Sequence, residues 1–190
     1  FETMRTLAQK EFAGLEAIGE RRDIWMRRFE TAARQFLLFE QARNSAVRKR
    51  HAEIRGVWQL ALSEPFTLSG VADRIDELVD GTLEIMDFKT GSPPAKSAMQ
   101  AFEVPQLLLE AQIARAGTLK GAIAPAPSSA LTYIKVGLGP EAFIPKPFLP
   151  PDGFDIMGAA DEIGRRMQRH VEHFLLRDTP MPARLLPLPG

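Results

Sequence analysis

FTLSGVADRIDELVDGTLEIMDFKTG, residues 66–91, holds two apolar, β-branched runs on either side of Asp80-Gly81. Two such runs around an Asp-Gly turn signal predict a pair of antiparallel strands. Side chains two apart on a strand share a face, so Leu83, Ile85, Asp87 and Lys89 project one way while Thr82, Glu84, Met86 and Phe88 project the other. An acid and an ammonium therefore end an otherwise apolar face. Burying charge there is costly unless it is paired or coordinates a metal, and a purely structural strand would continue as Val or Ile.

The register of the hairpin decides what joins them. A two-residue Asp80-Gly81 turn sets Asp73 opposite Phe88 and sends its carboxylate to the wrong face. A three-residue loop, Val79-Asp80-Gly81, sets Asp73 opposite Asp87 and Ile75 opposite Ile85, and it gives Gly81 the left-handed position of a G1 bulge. The apolar match favours the second register. Two carboxylates on one face repel, and a hard divalent cation such as Mg²⁺ or Mn²⁺ relieves them. A lysine beside that cation can orient water and stabilise charge developing on a phosphate. The chemistry implied is phosphodiester cleavage.

At these residues the chain resembles a known family. GVADRID (70–76) followed by IMDFKTG (85–91) is similar to the RecB-type nuclease domain of the PD-(D/E)XK superfamily, and VPQLLLEAQIARAG (104–117) is similar to the helix that follows its site, in wording closest to the nuclease domain of AddB. The resemblance implies an α/β, restriction-endonuclease-like core with a mixed central sheet flanked by helices. It implies that Asp73 and Asp87 are metal-binding acids for Mg²⁺ or Mn²⁺, with the Phe88 backbone carbonyl as a further ligand. Lys89 takes the catalytic lysine's place, Gln106 that of the helix glutamine, and Glu53 that of an acid on the preceding strand. Glu110 stands where many relatives carry tyrosine, a departure that leaves the role of this position open.

Two further departures concern absences. Relatives commonly carry a histidine upstream of the first strand, whereas His51, His170 and His173 all lie elsewhere, and there is no cysteine for the iron–sulfur cluster of some AddB proteins. The missing histidine suggests that the chain begins downstream of that helix and predicts weak cleavage by the chain alone. By resemblance the domain would be a DNA exonuclease within a helicase-nuclease that resects double-strand breaks for recombinational repair, its partners DNA and an AddA-like subunit. A catalytically inactive DNA-binding or docking module, and a stand-alone restriction or phage nuclease, are the competing readings.

At 190 residues, 45% apolar and 25% charged, the chain has the length and balance of one globular domain. The lack of cysteine excludes disulfides and thiolate metal sites and fits a cytoplasmic address. No run reaches membrane-span length, and no Walker loop is present, so the chain is no ATP-driven motor on its own. Lysine and arginine total 24, as do the acids, so net charge does not argue for nucleic acid. Distribution says more: Arg48, Lys49, Arg50 and Arg55 cluster ahead of the first strand, where phosphate contact is expected.

Periodicity predicts helices over 2–18, 24–46, 106–116 and 156–176, the last capped by Asp155, and strands over 51–62, 66–79, 82–89 and 131–136. Trp25, Phe29, Phe36 and Phe39 recur at helical spacing and are assigned to the core. Residues 118–129 and 140–152 are expected as irregular connections. The expected organisation is N-terminal helices over 1–50, the nuclease core over 51–176 and an extended tail over 177–190.

Overall fold

The computed structural model describes residues 1–14, 19–121, 123–139, 141–177 and 179–180. In chain order the elements are α1 (Glu2–Ala13), α2 (Gly19–Arg43), β1 (Val47–Leu60), β2 (Phe66–Leu78), β3 (Leu83–Lys89), α3 (Lys96–Gln100), α4 (Gln106–Ala116), β4 (Thr118–Leu119), β5 (Ser128–Lys135), β6 (Pro145–Pro147) and α5 (Ile156–Val171), the last running into a π-helical turn over Glu172–Leu176. The strands form one mixed sheet in the order β4-β1-β2-β3-β5-β6, antiparallel except where β3 meets β5 in parallel. This is the α/β arrangement expected, with the hairpin at the centre of the sheet.

The hairpin takes the three-residue register. Ile75 pairs with Ile85 and Glu77 with Leu83. The loop closes through Leu78 N–H to Thr82 O at 2.9 Å and Gly81 N–H to Leu78 O at 3.1 Å. Gly81 takes φ 87°, which a side chain would oppose.

Alternation then sorts the hairpin into two faces. Ile75, Leu83 and Ile85, with Leu131 and Tyr133 of β5, pack under α4 (Leu107, Leu108, Ala111) and α5 (Ala159, Ala160, Ile163). Met86 and Ile134 face the other way, against Phe39 and Phe143 with Phe36 and Phe88 beside them. Each fully buried aliphatic side chain contributes about 1.5–3 kcal/mol, and the two cores together clamp the sheet between helical layers. Helix α4 lies unusually close to β1: a Cβ on Gly56 would sit 2.3 Å from Ile113 Cγ2, and one on Gly117 2.3 Å from the Val57 carbonyl oxygen. Glycine at both positions lets α4 reach the sheet.

Several boundaries differ from expectation. Helix α1 stops at Ala13 with Gly14 as its C-cap, and residues 15–18 lie outside the described ones. Helix α2 starts earlier and ends at Arg43, so β1 begins at Val47 and takes Arg48, Lys49 and Arg50 into the strand itself. The aromatic stripe is shared between two contacts: Phe36 and Phe39 enter the core, whereas Trp25 and Phe29 lie 6.1 and 6.2 Å from the Phe12 ring of α1. The expected connections contain short edge strands, β4 and β6, the latter bearing Pro145 and Pro147, as befits an edge where no ladder donor is needed. Asp155 caps α5 as expected, accepting from Gly158 N–H at 2.6 Å. Residues 181–190 of the expected tail lie outside the described ones. No helix among the described residues is long and apolar enough to cross a membrane.

Candidate metal-dependent nuclease site

The site lies at the open end of the β2–β3 hairpin, on the face covered by α4. Continued past Arg74 and Met86, the observed register sets Asp73 across from Asp87. The main-chain pairing ends there, and the Asp73 carboxylate takes over: its Oδ2 accepts the Phe88 N–H at 2.8 Å. One acid is thereby fixed against the strand that carries the other. Asp87 is 3% exposed, and the half-exposed Lys89 places its Nζ 2.9 Å from Oδ1 and 2.8 Å from Oδ2 of Asp87.

Helix α4 completes the arrangement. Lys89 Nζ lies 3.4 Å from Gln106 Oε1, and Gln106 Nε2 donates to Glu110 Oε1 at 3.1 Å. Gln106 and Glu110 are one helical turn apart, as a shared face requires. The Glu110 side chain is buried, and its Oε2 has no hydrogen-bond partner. Burial pushes its carboxyl up to about 7; the Gln106 hydrogen bond opposes this, the Asp87 and Asp73 charges add to it, and Lys89 opposes it. Tyr133, which pairs with Asp87 across the parallel ladder, is pushed up to about 12 by burial, then by Asp87 and Glu110. Sequence reading puts Glu110 on the Gln106 face of the helix, where it could help hold Lys89 charged, but it does not single out Tyr133. The signal for Glu110 was its spacing from Gln106, and for Tyr133 its alternation in LTYIKV in step with Asp87.

The donor set suits a hard cation. Every side-chain ligand candidate offers oxygen, and Asp73, Asp87 and Glu110 stand against one ammonium, Lys89. Among the described residues, no group of three acidic or histidine side chains is placed to hold an ion by direct contact. Glu53 is exposed and takes φ 52°, where the β1 ladder passes from Ala52–Arg74 to Ile54–Ala72. A non-glycine residue in that region is strained. In the ladder its position falls opposite Asp73.

The opposite face of the hairpin carries charge of another kind. Arg74 donates to Asp76 Oδ1 at 2.8 Å and Oδ2 at 3.1 Å, and to Glu40 of α2 at 2.6 and 2.9 Å. Arg43 of α2 reaches Asp76 at 2.9 Å and Glu84 at 2.5 Å, Arg50 donates to Glu40 at 2.8 Å, and Thr132 donates to Glu84 at 2.7 Å. Burial opposes ionisation of Glu40, but the hydrogen bonds and charge of Arg74 and Arg50 prevail and hold its carboxyl below the usual range. Thus only Asp73 of the GVADRID acids faces the site; Arg74 and Asp76 tie the sheet to α2.

The basic cluster lies along β1 rather than ahead of it. Arg50 pairs with Asp76 and Lys49 with Glu77, toward the hairpin turn, while Arg55 pairs with Val71 on the other side of the Asp73 position. Arg48 is held by Glu77 at 2.5 Å, and His51 contacts the same carboxylate at 2.8 Å. The hydrogen bond from His51, and then Arg48, outweigh burial and hold Glu77 below the usual carboxylate range.

A mixed sheet whose central hairpin brings two acids and a lysine together under a glutamine-bearing helix defines a nuclease-type α/β domain. The chain belongs to the PD-(D/E)XK nuclease superfamily, whose family model matches residues 2–179. It is similar to an uncharacterized protein of Rickettsia bellii, 30% identical over 87 residues, and to one of Rickettsia typhi, 30% identical over 88 residues. The matched stretches cover 45% and 46% of this chain and 10% of each relative, so the similarity spans about a tenth of the length of those proteins. Among solved structures, the crystal structure of SSO0001 has a TM-score of 0.33 and 12% identity over 88% of this chain and 85% of that one, too slight a likeness to argue from.

Proposed function

We propose that this domain is a Mg²⁺- or Mn²⁺-dependent deoxyribonuclease, an exonuclease that works within an AddAB-like helicase-nuclease beside an AddA-like subunit. The convergence of Asp73, Asp87 and Lys89 on one buried face is the observation that carries the nuclease reading. The AddB-like wording of residues 104–117 supports the narrower one. Asp73 and Asp87 would hold the cation with the Phe88 carbonyl beside them, and Glu53 on β1 is the further candidate acid. The cation supplies Lewis-acid polarisation of a phosphoryl oxygen and a more acidic bound water.

The chain's own residues do the rest. The Phe88 N–H holds Asp73 in place, so this carboxylate needs little reorganisation to act. Lys89 supplies a mobile positive charge for the developing negative charge on the phosphate, and Gln106 limits where that ammonium can go. Lys49 and Arg55, together with Arg48 and Arg50, are the candidates for phosphate contact along the DNA backbone. The test is cleavage of end-labelled single-stranded and duplex DNA with Mg²⁺, with Mn²⁺ and with EDTA, for the parent protein and Lys89→Ala. Divalent-dependent cleavage lost in the variant supports the reading. Cleavage that persists in EDTA, or at the parent rate in Lys89→Ala, overturns it.

A further inference from the structure

We propose that Glu110 is a third carboxylate of the cation site, presented from α4 and acting on the cation through a water molecule rather than by direct contact. The inference rests on the reading of Asp73 and Asp87 as cation-binding acids.

Three independent features of Glu110 lead there. Its side chain is buried in a helix whose other buried residues, apart from Gln112, which is tied to Asp161, are apolar (Leu107, Leu108, Ala111, Ile113 and Ala114), so packing alone would favour a leucine. One oxygen accepts from Gln106, but Oε2 is buried with no partner at all. An unmet buried acceptor is costly and calls for a donor that the protein itself does not supply. A cavity beside it, of about 10 Å³, is lined otherwise by Gly56, Gly70 and apolar side chains such as Ile54, Ala72, Ile75 and Ile113.

Charge points the same way. Glu110 feels the fields of Asp73, Asp87 and Lys89 together, which places it within electrostatic reach of all three. One ammonium cannot offset three carboxylates, whereas one ammonium and one divalent cation would offset them fully. Direct ligation by all three acids does not fit their placement. Mg²⁺ sheds water reluctantly and is commonly held by one or two carboxylates with several waters retained. A carboxylate that accepts from such a water meets the need of Oε2 and respects the spacing. The departure from tyrosine at this position then has a chemical meaning, since a phenol would supply no charge.

The experiment measures Mn²⁺ binding to the whole chain by calorimetry, without DNA, for the parent, Glu110→Gln, Glu110→Asp and Asp87→Ala. Glutamine can still accept from Gln106, so the helix contact is retained while the charge is lost. Groups that orient a metal's ligands typically cost about tenfold to a hundredfold in affinity when replaced. That loss is expected for Glu110→Gln, with an unfolding temperature in EDTA no lower than the parent's; Glu110→Asp, which keeps the charge, should recover part of the affinity. Parent-like Mn²⁺ affinity in Glu110→Gln overturns the proposal. So does Glu110→Asp binding no better than Glu110→Gln, because the effect would then follow shape rather than charge. Asp87→Ala separates the levels: if it too binds Mn²⁺ like the parent, the cation-site reading fails, whereas if it alone loses binding, only the role of Glu110 fails.

Discussion

The two faces of the central hairpin bury charge in opposite ways. Toward α2, Arg43, Arg50 and Arg74 meet Glu40, Asp76 and Glu84, with Arg74 forked onto two carboxylates at once. Toward α4, Lys89 alone stands against Asp73, Asp87 and Glu110, and Glu110 keeps an unmet oxygen. Neighbouring residues of one strand feed both: Asp73 goes to one face, Arg74 and Asp76 to the other. Balanced, paired charge holds elements in place, whereas an excess of one sign suits the binding of a counter-charge. The contrast separates a charge network that ties elements together from one that fits the proposed cation site.

The sharpest way to break the comparison is to unbalance the structural face. Arg74→Ala leaves Asp76, which is 0% exposed, with Arg43 alone and Glu40 of α2 with Arg50 alone. Removing one partner of a buried ion pair costs about 3–5 kcal/mol when the other is left uncompensated; with Arg43 and Arg50 still in place, urea denaturation should show a loss toward the lower end of that range. A loss below 1 kcal/mol would mean that the network is solvated. On the other face, Lys89→Ala should leave the fold intact and slow single-turnover DNA cleavage about a hundredfold to a thousandfold, with Mn²⁺ affinity retained. Unfolding as severe as that of Arg74→Ala would erase the distinction between the faces.

Glu110 sharpens the comparison through pH. Its folded carboxyl holds a proton to about 7 against an ordinary 4.5, so the folded state binds the extra proton between those values. The stability this contributes is fully present below pH 4.5 and is lost as pH rises through 7. In EDTA, the parent should therefore lose on the order of 3 kcal/mol relative to Glu110→Gln between pH 4.5 and 8. Parallel stability curves for the two proteins would show that Glu110 is not held in an unfavourable charge environment. The smallest effect is expected at the rim. Arg48 is 63% exposed at its pair with Glu77, and Arg48→Gln should change stability by no more than about 1 kcal/mol.

What the sequence revealed follows from which interactions are local. The register was legible because Ile75 and Ile85 must share a face and Gly81 suits only one loop length; both constraints lie within the hairpin. The second face was not, because Arg74 and Asp76 find Glu40 and Arg43 on a helix more than thirty residues away, and a strand pattern says nothing about which helix covers it. Spacing tied Glu110 to Gln106, but burial of the carboxyl depends on how closely α4 approaches the sheet, which Gly56 and Gly117 permit only in three dimensions. The two- and three-residue strands β4 and β6 are too short to show any period. Their existence depends on the longer neighbours against which they lie.

Strand β1 spans 14 residues, yet on its outer side β4 covers only Gly56 and Val57. Among the described residues the rest of that border pairs with no other strand, although the Arg55 carbonyl accepts from Lys120 N–H at 2.8 Å; on such a border a second chain can dock strand to strand and begin to aggregate. Arg48, Lys49, Arg50 and Arg55 belong to this strand, and its ladder with β2 shifts register between Val47 and Lys49. Charge and a broken repeat are two ways of making such an edge a poor template. The basic stretch is thus suited to a task that needs no DNA, discouraging neighbouring molecules from extending the sheet, and neutralising it wholesale should cost solubility before any effect on phosphate contact could be read.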